Sequence, residues 1–230
     1  MRNGVSARLP FPPSTLCPST VATVLETRYI GRANLAKRLA PLEGEPGRTV
    51  YAGGSARLEL PETTLLVTPP FGLMHEGDYE RLVVRPLLAA LAEDRTVAAL
   101  LVRLGGFAVG VFEGERLLVS KVGSRFVKGR HKKGGSSANR FRRRREGQER
   151  ELIEVAAEEA ARVLGPWQGR IGHVALGGDR DAVRRVLAAR DDLGWLEPLA
   201  LERFFTVPDP RRRVLDVLPY QLYAAKTAES

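Results

Sequence analysis

Residues 97–122 read VAALLVRLGGFAVGVFEGERLLVSKV, and this stretch decides the fold. Val97–Leu104 is an apolar, β-rich run. Gly105-Gly106 is a tight-turn pair, and Phe107–Phe112 follows as a second strand. Glu113-Gly114-Glu115 makes the next turn. Arg116–Val122 then alternates Leu117, Val119 and Lys121 against Leu118, Ser120 and Val122. Three consecutive strands with hairpin-length connections predict an antiparallel meander.

Downstream the period changes. Leu152, Ala156, Ala160 and Val163 share one face of a helix expected over Glu146–Leu164, and Gly165-Pro166 stops it. Ile171–Leu176 reads as a short strand closed by Gly177-Gly178-Asp179. Arg180–Arg190 reads as a helix and Phe204–Val207 as a strand. After Pro208-Asp209-Pro210 a last helix is expected over Arg211–Ala225. The order β-β-β-α-β-α-β-α predicts a mixed α/β fold, a mixed sheet with helices on its faces as in ribonuclease-H-like domains.

Upstream, residues 1–95 predict a small α+β unit. The first sixteen or so are Pro-rich. Residues 19–41 show a broken helical period, and Gly53-Gly54-Ser55 joins a hairpin of Thr49–Ala52 and Ala56–Leu60. Thr64–Thr68 reads as a further strand, and 77–93 as a helical pattern interrupted by Pro86. The expected division is 1–95 and 96–230. A chain of 230 residues is long enough for a sizeable core, whether as one large domain or two small ones.

Charge points to function. The net charge is +9, and residues 121–145, KVGSRFVKGRHKKGGSSANRFRRRR, hold 11 Lys and Arg with no acid. The rest of the chain carries 25 basic and 27 acidic residues, so the whole excess sits in one stretch. That is the footprint of a phosphate-backbone binder. A solvated basic loop or a patch for anionic lipid is the plainer reading. The membrane version needs bulky apolar residues, and 131–145 offers only Phe141. No stretch reads as a signal peptide or a membrane span. The single Cys17 excludes an internal disulfide framework and suits a cytoplasmic setting. His75, His131 and His173 stand apart, so no metal and no cofactor are expected. A metal-dependent nuclease needs carboxylates at strand ends, and the first three strands supply only Glu113 and Glu115, both in a turn.

The loop expected over 123–145 has a definite anatomy. Arg125, Lys128, Arg130, Lys132 and Lys133 precede Gly134-Gly135, and Ser136, Ser137, Ala138 and Asn139 follow. Arg140, Arg142, Arg143, Arg144 and Arg145 lead into the helix. These cations are the candidate RNA contacts. Two adjacent glycines allow close backbone approach and expose consecutive N–H groups to anionic oxygens. Phe126 and Phe141 serve either as core anchors or as base-stacking groups.

This loop resembles the catalytic loop of Vms-like release factors. The bacterial branch of that family comprises peptidyl-tRNA hydrolases related to the middle domain of eukaryotic and archaeal class-one release factors. G-G-D-R at 177–180 and V-P-D-P-R-R-R-V-L at 207–215 are also similar, and the resemblance spans about 97–225. It implies a ribonuclease-H-like fold and hydrolysis of the ester between nascent peptide and tRNA. The implied partners are the large ribosomal subunit and peptidyl-tRNA, not DNA and not a membrane, and the implied setting is rescue of stalled ribosomes. It makes Gly134 to Asn139 the candidate catalytic segment, and residues 1–95 a ribosome- or tRNA-contacting module. The family pattern is Gly-Gly-x-Ser-Gln. Here Gly134, Gly135 and Ser137 match, and the water-holding Gln falls on Ala138. Gln148 is more than two helical turns away. Several readings stay open. Asn139, or Ser137 with the backbone, does the work. The protein binds ribosomes without hydrolysis. Or Ala138 replaces a natural Gln. Asn139 is equally readable as a helix N-cap.

Overall fold

The computed structural model describes residues 26–124 and 136–230. The first part of the chain forms β1 (Glu26–Gly31), α1 (Arg32–Leu39), β2 (Arg48–Ala52), β3 (Ser55–Glu59), β4 (Thr64–Thr68), β5 (Gly77–Tyr79) and α2 (Arg85–Ala92). The second forms β6 (Thr96–Arg103), β7 (Gly106–Glu113), β8 (Arg116–Ser124), α3 (Ser136–Leu164), β9 (His173–Gly178), α4 (Arg180–Ala188), α5 (Arg212–Leu222) and β10 (Ala224–Glu229). A 3-10 segment runs over Asp191–Leu199. The fold is mixed α/β, as the sequence predicts.

β6, β7 and β8 form the expected antiparallel meander, and β9 adds parallel to β6 in the order β8-β7-β6-β9. β6 is covered on both sides, which is why it reads as an unbroken apolar run. Ala98, Leu100 and Val102 face α3 and α4, where Leu152, Ala156, Ala160 and Val186 pack. Val97, Ala99 and Leu101 face α5, where Val214, Leu215, Leu218 and Leu222 pack. Each fully buried leucine of these layers contributes roughly 1.5–3 kcal/mol of transfer free energy.

Five expectations are corrected. Within 19–41, which reads as a broken helical period, Glu26–Gly31 is a strand paired with β10 and only Arg32–Leu39 is an α-helix. The long helix begins at Ser136, not Glu146, so only 125–135 separates β8 from α3. Between Gly135 and Gly147 the chain holds neither Gly nor Pro, and arginine is a good helix former, so the helix propagates through the basic run. Phe204–Val207 is not a strand. Phe205 makes one parallel bridge to Gly177 and Ala200 another to Val174, and Pro208, which has no N–H, prevents continuation. The final helix stops at Leu222, and the residues after Tyr223 form β10. Finally, 77–93 is not one interrupted helix. Gly77–Tyr79 is a strand, and Pro86 occupies the first turn of α2, where its missing N–H costs nothing.

β10 joins the other sheet, whose order is β1-β10-β4-β3-β2-β5, antiparallel throughout. The chain therefore leaves this sheet after β5, builds the second, and returns. Leu35, Leu39, Tyr51, Leu58, Val67 and Leu87 form the core beneath it. Arg32 ties the two parts together. Its guanidinium bonds Asp94 at 2.7 Å and Glu115 at 3.0 Å and lies 4.2 Å from the centre of the Tyr223 ring. Phe71 packs on His173 at 4.9 Å and on Tyr223 at 5.0 Å.

Candidate nucleic-acid interface

The strand register places the start of the basic run on one sheet edge. Arg103 lies opposite Gly106 and Gly106 opposite Ser124, while Val102 lies beside Gly178. β6, β8 and β9 thus end on a common edge, and the run begins there. α3 starts toward the same edge, because its far end at Leu164 leads through a short connection to His173, which pairs with Val97 at the opposite edge. Gly123, near the end of β8, leaves room for a ring. A Cβ there would stand 2.4 Å from the Phe107 ring, which packs over this position.

Of the candidate residues, Arg125, Lys128, Arg130, Lys132, Lys133, Gly134 and Gly135 lie outside the described residues. Ser136, Ser137, Ala138 and Asn139 are the first four residues of α3, and Arg140 and Arg142 to Arg145 continue it. Asn139 is therefore inside the first turn and is not the cap. Gln148 lies ten residues beyond Ala138, about 15 Å along a regular helix. Its Oε1 is buried without a hydrogen-bond partner. Arg143 and Arg144 are exposed. Arg145 donates to Glu149 at 2.9 Å, and Arg185 of α4 approaches the same carboxylate at 3.9 Å. Farther along, Lys121 reaches Glu159 at 3.3 Å and fastens β8 to α3. Burial raises the Glu159 pKa, but hydrogen bonds and charge from Arg162 and Lys121 together hold it below the usual value.

The edge carries a second set of cations. Arg103, Pro208, Asp209, Arg211 and Arg213 line an open cleft of about 300 Å³. Arg103 donates to the Val207 carbonyl at 2.9 Å, which fixes its guanidinium at the rim. Arg212 is engaged by Asp216 at 2.9 Å and by Ser120 Oγ at 3.2 Å. Arg180 stacks 4.2 Å above the Phe204 ring. The run Arg211-Arg212-Arg213 is visible in the sequence. The participation of Arg103 is not, because a fold contact 104 residues long brings it there.

Helix electrostatics do not account for these arginines. A helix N-terminus carries partial positive charge and favours acids. Neither α3 nor α5 has an acid in its first turn, and both are loaded with arginine near that end. α4 starts on the same edge in the opposite manner. Asp179 caps it, accepting from the N–H groups of Asp181 at 2.9 Å and Ala182 at 3.0 Å, and Asp181 sits in the first turn. Within their own helices, among the described residues, Arg145 and Arg212 are matched, by Glu149 and Asp216, and the remaining arginines of these helix starts are suited to an external anion.

A mixed α/β protein with a cationic sheet edge is the class these features define. Residues 95–227 match the family described as Actinobacteria/chloroflexi VLRF1 release factor. This is more than half of the chain, and the protein belongs to that family. It is by family a factor of translation termination or rescue, and interaction with the ribosome follows. Among solved structures, the archaeal translation termination factor aRF1 is similar at 16% identity with a TM-score of 0.43, covering 84% of this chain and 73% of that one. A further structure, described as an archaeal protein, is similar at 16% identity and a TM-score of 0.38, covering 72% of this chain and 52% of that one. No functionally curated protein is detectably similar in sequence. Among the described residues no helix is long and apolar enough to cross a membrane.

Proposed function

We propose that the protein acts in the cytoplasm on stalled ribosomes or large subunits, where it hydrolyses the ester bond of peptidyl-tRNA in translation rescue and quality control. One observation carries the reading. In a member of a release-factor family, the Gly134-Gly135 pair falls in sequence between the end of β8 and the start of α3. The meander followed by a helix-connected parallel strand supports a ribonuclease-H-like description of the part from 96 onward, apart from β10, which joins the first sheet; the part before 96 is read as a ribosome- or tRNA-contacting module.

The chemistry asks little of side chains. An aminoacyl ester is already activated, so the reaction needs a positioned water and donors for the developing oxyanion, not a metal or a nucleophile. The first N–H groups of α3, on residues 136–139, have no acceptor within the helix. They follow Gly135 directly and are the natural donors to a phosphate or an oxyanion. The cations on both sides of the glycines neutralise RNA phosphates and deliver the tip.

Ala138, standing where the family resemblance expects a water-holding Gln, favours a second reading, a ribosome-binding factor that does not cleave. Single-turnover peptide release from stalled large subunits carrying peptidyl-tRNA separates the two. The hydrolase reading expects release above the spontaneous rate. It expects Ala138→Gln to raise the rate by about 100- to 1000-fold, the scale of one well-placed polar group. It expects Gly134→Ala with Gly135→Ala to abolish release while binding persists. Release at the spontaneous rate by both the natural chain and Ala138→Gln would refute hydrolysis and leave the binding factor.

A further inference from the structure

We infer that the cleft between the end of β6 and the start of α5 is a second RNA-backbone site, in which Arg103, Arg211 and Arg213 hold phosphates at the strand ends from which β8 leads into the basic loop. The inference rests on the functional reading above only for the identity of the polyanion as RNA.

Three guanidinium groups and one carboxylate line this cleft. Arg211 approaches Asp209 only at 3.7 Å, and both side chains are about 70% exposed, at 69% and 73%. Arg213 has no ion-pair partner among the described residues, and Arg103 is held only by a neutral carbonyl. Elsewhere in the fold several exposed arginines are matched, Arg48 with Asp78, Arg190 with Asp192 and Arg212 with Asp216, but among the described residues none of the three cleft arginines has a close carboxylate of that kind. The cleft retains a local excess of two positive charges. Its residues are all arginine, whose planar fork pairs with phosphate through two parallel hydrogen bonds. Arg103 is pre-oriented by the Val207 carbonyl, so little of its side-chain freedom remains to be lost on binding. The cleft is open along the edge, which suits an extended phosphodiester chain better than an enclosed small anion. The same strand ends carry the exit of β8, which leads in sequence into the basic loop.

The test is fluorescence anisotropy of a labelled RNA hairpin with the full chain, over about 50 to 200 mM KCl, with melting curves to confirm folding. Arg211→Ala with Arg213→Ala is expected to weaken binding about tenfold or more and to lower the slope of log affinity against log salt by about 2, one for each lost phosphate contact. Asp209→Asn is expected to tighten binding severalfold, a gain that misfolding cannot mimic. Lys132→Ala with Lys133→Ala reports the loop separately. A double cleft variant that keeps natural affinity and slope while the loop variant weakens overturns the cleft site and leaves the functional reading intact. Peptide release at the spontaneous rate by the natural chain and by Ala138→Gln, with the cleft slopes as expected, overturns hydrolysis and leaves the cleft. Equal binding of poly-glutamate and RNA, abolished by the same cleft variants, overturns the assignment to RNA.

Discussion

Gly178 has φ near +100°, and a Cβ added there would stand 2.1 Å from the Val102 carbonyl oxygen. The backbone is used at the same place. The Gly178 N–H donates to the Phe205 carbonyl at 2.9 Å and the Asp179 N–H to the Val102 carbonyl at 2.7 Å. Asp179 then caps α4, and Arg180 comes to rest on Phe204. The G-G-D-R segment that resembles the release-factor branch is therefore a bend that ends β9 against β6 and starts a helix. Gly178→Ala combines backbone strain with a clash against a core strand and is expected to cost about 3 kcal/mol or more. Asp179→Ala removes only the cap and is expected to cost about 1 kcal/mol. Urea unfolding of the two variants checks the ranking. Equal costs would mean that the bend relaxes and that the glycine is not required by sterics.

Elements differ in how much of them could be read in advance. β6, β7 and β8 were legible because their apolar runs are broken by Gly105-Gly106 and Glu113-Gly114-Glu115, which are local turn chemistry. The basic run was legible as a charge anomaly, but its helical portion was not, since consecutive arginines resemble a solvated loop and give no amphipathic period. Ala224–Glu229, AAKTAE, carries one β-branched residue, Thr227, and has the composition of a helix end. It becomes a strand because β1 and β4 present their edges to it, a tertiary cause that no local pattern reports. Arg103 was invisible for the same reason. The strand matters to the sheet. β10 separates β1 from β4, and among the described residues β1 has no other strand neighbour. Ending the chain after Tyr223 leaves β1 unpaired and exposes the edge of β4, a template for aggregation. The truncated protein is expected to be largely insoluble, or to unfold with a reduced denaturant slope. A monodisperse product with the natural melting temperature would show that β10 is dispensable.

On the scale of the whole molecule, the two sheets meet at a seam that is aromatic at its centre and charged at its rim. Phe71 from the segment after β4 lies against His173 of β9 and against Tyr223 before β10. Arg203 closes the far side over the rings of Tyr29 and Phe205, at 3.8 and 4.9 Å. Burial, with a smaller contribution from the charge of Arg95, holds the His173 imidazole below its ordinary pKa of 6.5. The unfolded chain therefore binds a proton at this site at a pH where the folded chain does not. Stability rises with pH wherever the unfolded state holds more protons, so the contribution of neutral His173 is fully present above the ordinary value. It is lost as pH falls through the lowered value. Protonation places a cation in the aromatic seam, and the seam is where acid should loosen the molecule. Melting temperatures taken between about pH 8 and pH 5 are expected to fall for the natural protein and to fall less for His173→Gln, which has nothing to titrate at that position. Carboxylates elsewhere titrate equally in both chains, so the difference between the two curves isolates His173. Parallel curves would show that this imidazole is protonated as readily in the folded seam as in the open chain.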